Sequence, residues 1–163
     1  MHSEPAEISP LEPADAEAAI AVVRASFAAH VAPDYGQDGR DLFEQVVTAE
    51  YLRSLPRRRG FTLVAKTDGR IVGMIAFRDG NHVTLFFVLP SHQGRGIGRQ
   101  LFDAAVLRLR RTAPATEKLE VHSSPIAVPV YRALGFSATG PEAVEGGIRF
   151  VPMERLLTFA GPE

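Results

Sequence analysis

The residues best suited to chemistry form a glycine-rich turn in the middle of the chain. Gly94, Gly96 and Gly98 follow an apolar run, residues 85–89, that a proline ends. Such a run is typical of a buried strand, and glycines let backbone N–H groups approach a bulky ligand and adopt positive φ. If a helix begins at Gly96 or Ile97, its unpaired N–H groups and its dipole face the turn. The pattern predicts a site for a phosphate or pyrophosphate.

Three other interpretations apply to this turn. A P-loop requires Lys and then Ser or Thr after its last glycine, but Arg99 and Gln100 stand here, so a P-loop is excluded. A dinucleotide fingerprint has the spacing G-x-G-x-x-G and opens the first βαβ unit, whereas this G-x-G-x-G turn lies mid-chain. A turn that only packs a helix against a strand stays open as an alternative.

Two motifs resemble the GNAT acetyltransferases. The segment Gln93–Gly98 is similar to the family signature Q/R-x-x-G-x-G/A, whose loop binds the pyrophosphate of coenzyme A. Phe87–Pro90 resembles the family's fourth strand, and Val130–Phe136 resembles the Tyr-x-x-Leu-Gly-Phe segment that closes its core. The motifs occur in the family's order, and the resemblance is specific between Arg70 and Phe136.

The resemblance implies both a fold and an activity. The expected fold is α/β, a GNAT-type mixed sheet of about six to seven strands flanked by about four helices, with a parallel pair at the central strands. One domain would span residues 1–163. The implied reaction transfers an acetyl group from acetyl-coenzyme A, without a metal, to a primary amine of a small molecule or peptide by direct attack.

The resemblance also implies contacts with coenzyme A in and around the turn. Backbone amides would hold the diphosphate, with help from the charge of Arg95 or Arg99. The backbone of Phe87 and Val88 would pair with the pantetheine arm, and one of these amides would polarise the thioester carbonyl. Ser124 stands where many relatives carry an asparagine that binds the arm. The predicted cofactor-binding residues are Phe87, Val88, Gln93, Gly94, Arg95, Gly96, Ile97, Gly98, Arg99, Ser124 and Tyr131.

By resemblance, Tyr131 occupies the position of the family's general acid, which donates a proton to the departing thiolate. Phenols and alkyl thiols have fairly close pKa values, so this transfer is reasonably matched. A purely structural role in the core is the alternative.

The general base is open among several residues. Glu120 and His122 share one face of a predicted strand, and His82 begins the strand before it. Histidine titrates near neutral pH and can relay a proton from an ammonium group, although a structural role for each histidine is also open. The five histidines are scattered and the chain has no cysteine, so no metal site is expected.

The acceptor site is expected beside the polar loop that follows the first helix, since this segment borders the acceptor in folds of this type. Asp34, Tyr35, Asp38 and Asp41 are predicted contacts for a cationic amine, together with His82. A solvated polar loop without a binding role is the alternative.

Periodicity and turn residues predict the order of elements. The expected elements are strand Glu7–Leu11, helix Pro13–Ala29, helix Arg40–Leu55, strands Phe61–Lys66, Ile71–Arg78 and His82–Leu89, helix Gly96–Arg111, strand Thr116–His122, helix Ile126–Leu134 and two last strands around Gly146-Gly147.

Composition limits the partners and the location. The chain has 163 residues, 45% of them apolar, and a net charge of −1 without a clustered basic face, which argues against nucleic acid as a main partner. No segment resembles a signal peptide or a membrane span, so a cytoplasmic protein with no membrane partner, a monomer or homodimer, is expected. A non-catalytic acyl-coenzyme A binding module and an adaptor remain competing interpretations.

Overall fold

The computed structural model describes residues 5–158, apart from the side chain of Asp34. Within these residues, the strands are β1 Glu7–Pro10, β2 Phe61–Thr67, β3 Arg70–Arg78, β4 His82–Val88, β5 Lys118–Ser123, β6 Ser137–Ala138, β7 Ala143–Glu145 and β8 Ile148–Leu156. The α-helices are α1 Ala16–Ser26, α2 Gln37–Val46, α3 Ala49–Ser54, α4 Ile97–Thr112 and α5 Val128–Ala133. The expected α/β class is confirmed.

The strands form a mixed sheet in the order β1-β2-β3-β4-β5-β8-β6, with β7 paired to β8. Neighbours are antiparallel except β4 and β5, which are parallel as predicted and are connected through α4. The β2–β3 and β3–β4 turns each contain an Asp-Gly pair, and Asp68, Gly69, Asp79 and Gly80 all have positive φ. In the two-residue β2–β3 turn this geometry suits the twist of the hairpin.

The parallel pair separates soon after it begins. Register partners between β4 and β5 are limited to His82 with Glu120 and Val83 with Val121. Yet β4 continues to Val88 and β5 to Ser123. The two strands therefore diverge and open a cleft in the centre of the sheet.

Two apolar layers hold the sheet between helices. On one face, Leu101 and Phe102 of α4 are fully buried in a cluster that includes Phe77. On the other face, Val23 of α1 and Leu55 are fully buried. Burying each large apolar side chain stabilises the fold by about 1.5–3 kcal/mol. This packing fixes α4, and with it the glycine turn that precedes it.

The predicted helix Arg40–Leu55 is wrong as one element, because α2 and α3 are separate. Val47 has φ −89° and ψ 92°, which is extended and interrupts the helix. Thr48 then caps α3, since its hydroxyl accepts a hydrogen bond from the Tyr51 N–H at 3.2 Å. In addition, α2 begins at Gln37, three residues before the predicted start at Arg40.

The end of the first helix also differs from the prediction. After α1, residues Phe27–Val31 form a π-helical turn, which widens the helix by one residue per turn. Pro33 stands in the next turn, where its missing N–H prevents the helix from continuing.

The segment after α5 forms three strands rather than the two predicted, because the short β6 and β7 are separate. The turn at Gly146-Gly147 is confirmed, with φ values of 58° and 80°. This turn packs against α2, since a Cβ on Gly39 would lie 2.3 Å from the Gly147 carbonyl oxygen. Between residues 5 and 158, no helix has both the length and the apolar character needed to cross a bilayer.

Candidate functional site

The cleft between β4 and β5 contains a cavity of about 490 Å³. Its walls are the second half of β4, the glycine turn, the start of α5 and the π-helical turn after α1. These elements come from distant parts of the sequence. The divergence of the parallel strands is what brings them to one space.

The glycine turn forms one end of this cavity. Gly94 and Gly96 have φ values of 76° and 81°, and a Cβ on either would have no neighbour within 4 Å. Gly98 has an ordinary φ, and its Cβ would lie 3.6 Å from the Phe86 ring. All three glycines line the cavity. Open space beside positive-φ backbone is what a ligand close to the peptide groups requires.

The predicted helix start is confirmed. Gly96 immediately precedes α4. The first backbone hydrogen bond of the helix is donated by the Gln100 N–H to the Gly96 carbonyl, at 3.0 Å. The N–H groups from Ile97 to Arg99 therefore make no intrahelical bond. With the positive end of the α4 dipole, they suit the binding of an anion such as a diphosphate.

The two arginines near the turn do not line the cavity. Arg95 and Arg99 are both exposed, and Arg99 donates to the Ala133 carbonyl at 3.4 Å. Their predicted contact with the diphosphate stays a prediction. The structure instead gives Arg99 a contact between α4 and the end of α5.

The exposed edge of β4 involves different peptide groups from those predicted. Leu89 donates to the Val72 carbonyl at 2.8 Å, and Phe87 pairs with Met74. Peptide groups alternate in direction along a strand, so the N–H of Phe87 points toward β3 while those of Phe86 and Val88 face the cleft. The predicted backbone contacts of Phe87 and Val88 with the donor stay predictions, and of the two only the Val88 N–H faces the cleft.

Two side chains lie within hydrogen-bond distance of the Val88 carbonyl. The Gln93 amide nitrogen donates to it at 3.1 Å. The buried Ser26 hydroxyl lies 3.1 Å from it and 2.8 Å from the Val22 carbonyl, and its single proton is shared between the two. Ser26 belongs to α1 and Gln93 to the turn. These bonds fix the end of β4, and with it the orientation of the Val88 N–H.

Tyr131 lines the cavity from α5 and is 7% exposed. The helix ends in a Schellman motif, because Phe136 donates to the Tyr131 carbonyl and Gly135 to that of Arg132, each at 3.0 Å. Gly135 has the positive φ of 96° that this motif needs. The Phe136 and Tyr131 rings then meet edge to face, with ring centroids 5.4 Å apart. The Leu-Gly-Phe motif thus holds the tyrosine in place.

Burial raises the pKa of Tyr131. The phenol is therefore protonated across the neutral pH range and can act as a donor. Ser124, at the turn between β5 and α5, lines the same cavity. The structure therefore brings both residues together with the glycine turn, as expected.

The three residues predicted as candidates for the general base lie in different surroundings. His122 lines the cavity, stacked on Phe150 at 4.4 Å, whereas Glu120 pairs with Lys118 at 3.5 Å and does not line it. His82 lies behind His122, with ring centroids 5.0 Å apart, and is 9% exposed. Burial, followed by the charge of Arg78, lowers the pKa of His82 to about 4. Of the three, His122 alone lines the cavity, and the predicted substrate contact of His82 stays a prediction.

The predicted acceptor contacts are only partly in place. Tyr35 lines the cavity, but Asp38 and Asp41 are exposed residues of α2 outside it, and Asp41 accepts a hydrogen bond from Gln37 at 2.8 Å. Their predicted contact with an amine stays a prediction, and both side chains are exposed on α2 outside this cavity. The side chain of Asp34 lies outside the described residues.

Aromatic rings line one side of the cavity. Phe27 stacks on Phe43 with ring centroids 3.8 Å apart and an interplanar angle of 3°. Tyr35 meets Phe27 edge to face at 5.3 Å, and Phe87 meets Phe43 at 6.4 Å. All four residues line the cavity.

A family model for the acetyltransferase (GNAT) domain matches residues 31–157. The chain belongs to the GNAT family. The match includes α2 to β8, and so the glycine turn and the Leu-Gly-Phe motif.

Solved GNAT structures share the fold. A GCN5-related N-acetyltransferase from Rhodopseudomonas palustris is 23% identical, with a TM-score of 0.78 over 96% of this chain and 99% of that one. The PaiA N-acetyltransferase from Thermoplasma acidophilum, solved with coenzyme A, is 19% identical, with a TM-score of 0.77 over 94% and 100%. The ribosomal-protein-S18-alanine N-acetyltransferase from Escherichia coli is 18% identical, with a TM-score of 0.69 over 96% of each chain.

Within this GNAT chain, several cavity residues escaped the sequence analysis. Four of them are Ser26, Phe27, His30 and Phe43. The Nε2 atom of His30 is buried without a hydrogen-bond partner among the described residues. The sequence held one indication that Phe27 and Phe43 could contact a substrate, because both flank the loop expected to border the acceptor.

Proposed function

We propose that this GNAT protein transfers an acetyl group from acetyl-coenzyme A to a primary amine. The observation that carries the proposal is that the glycine turn, the cleft edge of β4 and Tyr131 all line one cavity. An anion site next to a buried proton donor is the combination that thioester aminolysis needs.

The chain's own residues offer a place for each part of the donor. The N–H groups from Gly96 to Arg99 would hold the diphosphate, and the open space beside Gly94 and Gly96 fits a bulky group. The Val88 N–H, held in place through its own carbonyl, would bind the thioester oxygen. When bound, acetyl-coenzyme A supplies an activated acetyl group, whose attack by the amine forms a C–N bond, breaks the C–S bond and releases the thiol.

Two protons must move in this reaction. The Tyr131 hydroxyl would donate one toward the sulfur, and its raised pKa keeps the phenol protonated at neutral pH until the thiolate departs. The amine must lose one proton, and His122 would receive it, directly or through water, because it lines the same cavity. Solvent would then restore both groups.

The proposal is tested by two measurements on the purified protein. Calorimetry with acetyl-coenzyme A should show binding, and a thiol-release assay with a panel of primary amines should show turnover. Mass spectrometry of the amine should show one added acetyl group. Binding without thiol release for any amine would favour the non-catalytic acyl-coenzyme A binding module, and absence of binding would favour the adaptor.

A further inference from the structure

We infer that the amine acceptor carries an aromatic ring, which binds against Phe27, Tyr35, Phe43 and Phe87. This set is called the aromatic wall. The inference rests on the proposed function and specifies its substrate class. It departs from the acidic acceptor site that the sequence predicted.

The aromatic wall offers ring surfaces in two orientations. Phe27 and Phe43 are parallel, at 3°, while Tyr35 and Phe87 each stand at 73° to their neighbour in the wall. A planar ring entering the cavity can therefore stack on one member and meet another edge to face. Both arrangements are favourable for aromatic pairs.

The wall is held in place before any ligand arrives. Phe27 is 6% exposed and belongs to the π-helical turn, and Phe87 is fixed in the sheet. Phe43 is carried by α2, which the contact between Gly39 and Gly147 fixes against the last hairpin. Little conformational entropy is then lost when a ring binds.

The character of the wall also favours the neutral amine that the reaction needs. The described residues that line the cavity are aromatic, aliphatic, hydroxyl, amide or imidazole groups and glycines. Moving an ammonium group into such surroundings lowers its pKa, because burial disfavours the charged form. An aromatic monoamine gains from this surface, whereas a diamine must also desolvate a second charge.

The cavity size favours a free small molecule. Its volume of about 490 Å³ lies within the range of small-molecule sites, and the acetyl donor has to share it. We therefore expect an arylalkylamine, with the ring on the aromatic wall and the amino group toward His122.

The first experiment compares matched amines. Phenethylamine, cyclohexylethylamine, butylamine and diaminobutane are assayed by thiol release, together with a peptide whose first residue is phenylalanine. The expected order of kcat/KM places phenethylamine first, about three- to tenfold above cyclohexylethylamine, which has similar bulk but no π system. Saturation-transfer NMR with the cofactor-free protein should show magnetisation passing to the ring protons of phenethylamine.

A pair of variants locates the effect. Phe43→Leu keeps an apolar side chain and removes the ring, so the preference for phenethylamine over cyclohexylethylamine should fall to within about twofold. Phe61→Leu is the matched control, because Phe61 stacks on Phe77 at 4.8 Å and does not line the cavity. Its preference should remain that of the parent protein.

The outcomes separate this inference from the proposed function. If butylamine, diaminobutane or the peptide reacts as well as phenethylamine or better, the aromatic acceptor is refuted while acetyl transfer stands. An unchanged preference in Phe43→Leu also refutes it. No thiol release with any amine and no saturation transfer would refute both proposals.

Discussion

The two sides of the cleft are built from different parts of the polypeptide. On the donor side, positive φ at Gly94 and Gly96, the start of α4 and the edge of β4 present peptide groups. On the acceptor side, rings such as Phe27 and Phe43 present side chains from separate helices. Backbone sites depend on glycine spacing within one short segment, and side-chain sites depend on tertiary packing. The first can be conserved in a motif while the second changes with the substrate.

The largest effect is expected where the two sides meet, at Tyr131. Tyr131→Phe keeps the ring and its contact with Phe136 and removes only the hydroxyl. If this hydroxyl protonates the sulfur, kcat should fall by roughly 10²–10⁴-fold, with cofactor affinity little changed. Steady-state rates with a working amine, measured beside melting temperatures, check this.

The matched control for that variant is Tyr51→Phe. The Tyr51 hydroxyl bonds Thr84 Oγ1 at 2.6 Å, and Tyr51 does not line the cavity. Loss of this hydrogen bond should lower the free energy of unfolding by about 1 kcal/mol and leave kcat within about twofold of the parent value. If Tyr131→Phe behaves like Tyr51→Phe, Tyr131 is not the acid and a water-mediated proton route gains support.

The second-largest effect is expected from a substitution that changes only the donor side. Gly96→Val puts a β-branched residue at φ 81° with its Cβ directed into the open cavity, so acetyl-coenzyme A should bind roughly 10- to 100-fold more weakly. Gly69→Val is the control, since Gly69 has φ 75° with equally open surroundings but lies in the β2–β3 turn. Calorimetry of both folded variants distinguishes ligand exclusion from backbone strain. Equal cofactor affinity in the two would contradict the assignment.

The same contrast explains what the sequence could predict. The glycine turn, the start of α4 and the Gly135 motif depend on local backbone conformation, so their residues indicated them directly. The π-helical turn at Phe27–Val31 and the break at Val47 depend on packing, which no local pattern determines. The sequence predicted a charged acceptor site from acidic residues near Tyr35, but Asp38 and Asp41 lie exposed on α2, and aromatic rings line the cavity there.

A buried histidine behind the cavity should make the stability depend on pH. Buried His82 has its pKa lowered to about 4 from 6.5, so between these values the unfolded chain binds a proton that the folded one does not. Stability should therefore decrease as the pH falls from 6.5 to 4, by about 1–3 kcal/mol from this residue. In His82→Asn the decrease should be smaller by that amount. Unfolding free energies at pH 7 and pH 4.5 test this, and equal pH dependence in both proteins would contradict it.

A smaller effect should follow from moving α2. The Cβ of Gly39→Ala would overlap the Gly147 backbone, so α2 and Phe43 must shift. We expect the KM for the amine to rise about three- to tenfold and stability to fall by about 1–3 kcal/mol, with donor affinity unchanged. Gly36→Ala, with no neighbour within 4 Å of its Cβ, should change neither constant. A rise in the donor Kd instead would mean that the two sides are not separate.

The central claim is that the donor binds on the backbone of the glycine turn and the cleft edge of β4. Amide chemical-shift mapping by NMR during titration with acetyl-coenzyme A tests it most directly. The account predicts large shifts for the N–H groups of Val88, Gly94, Gly96 and Gly98, and unchanged positions for the hairpin amides of Asp68 and Gly69. Shifts confined to other surfaces, or none at saturating ligand, would contradict it.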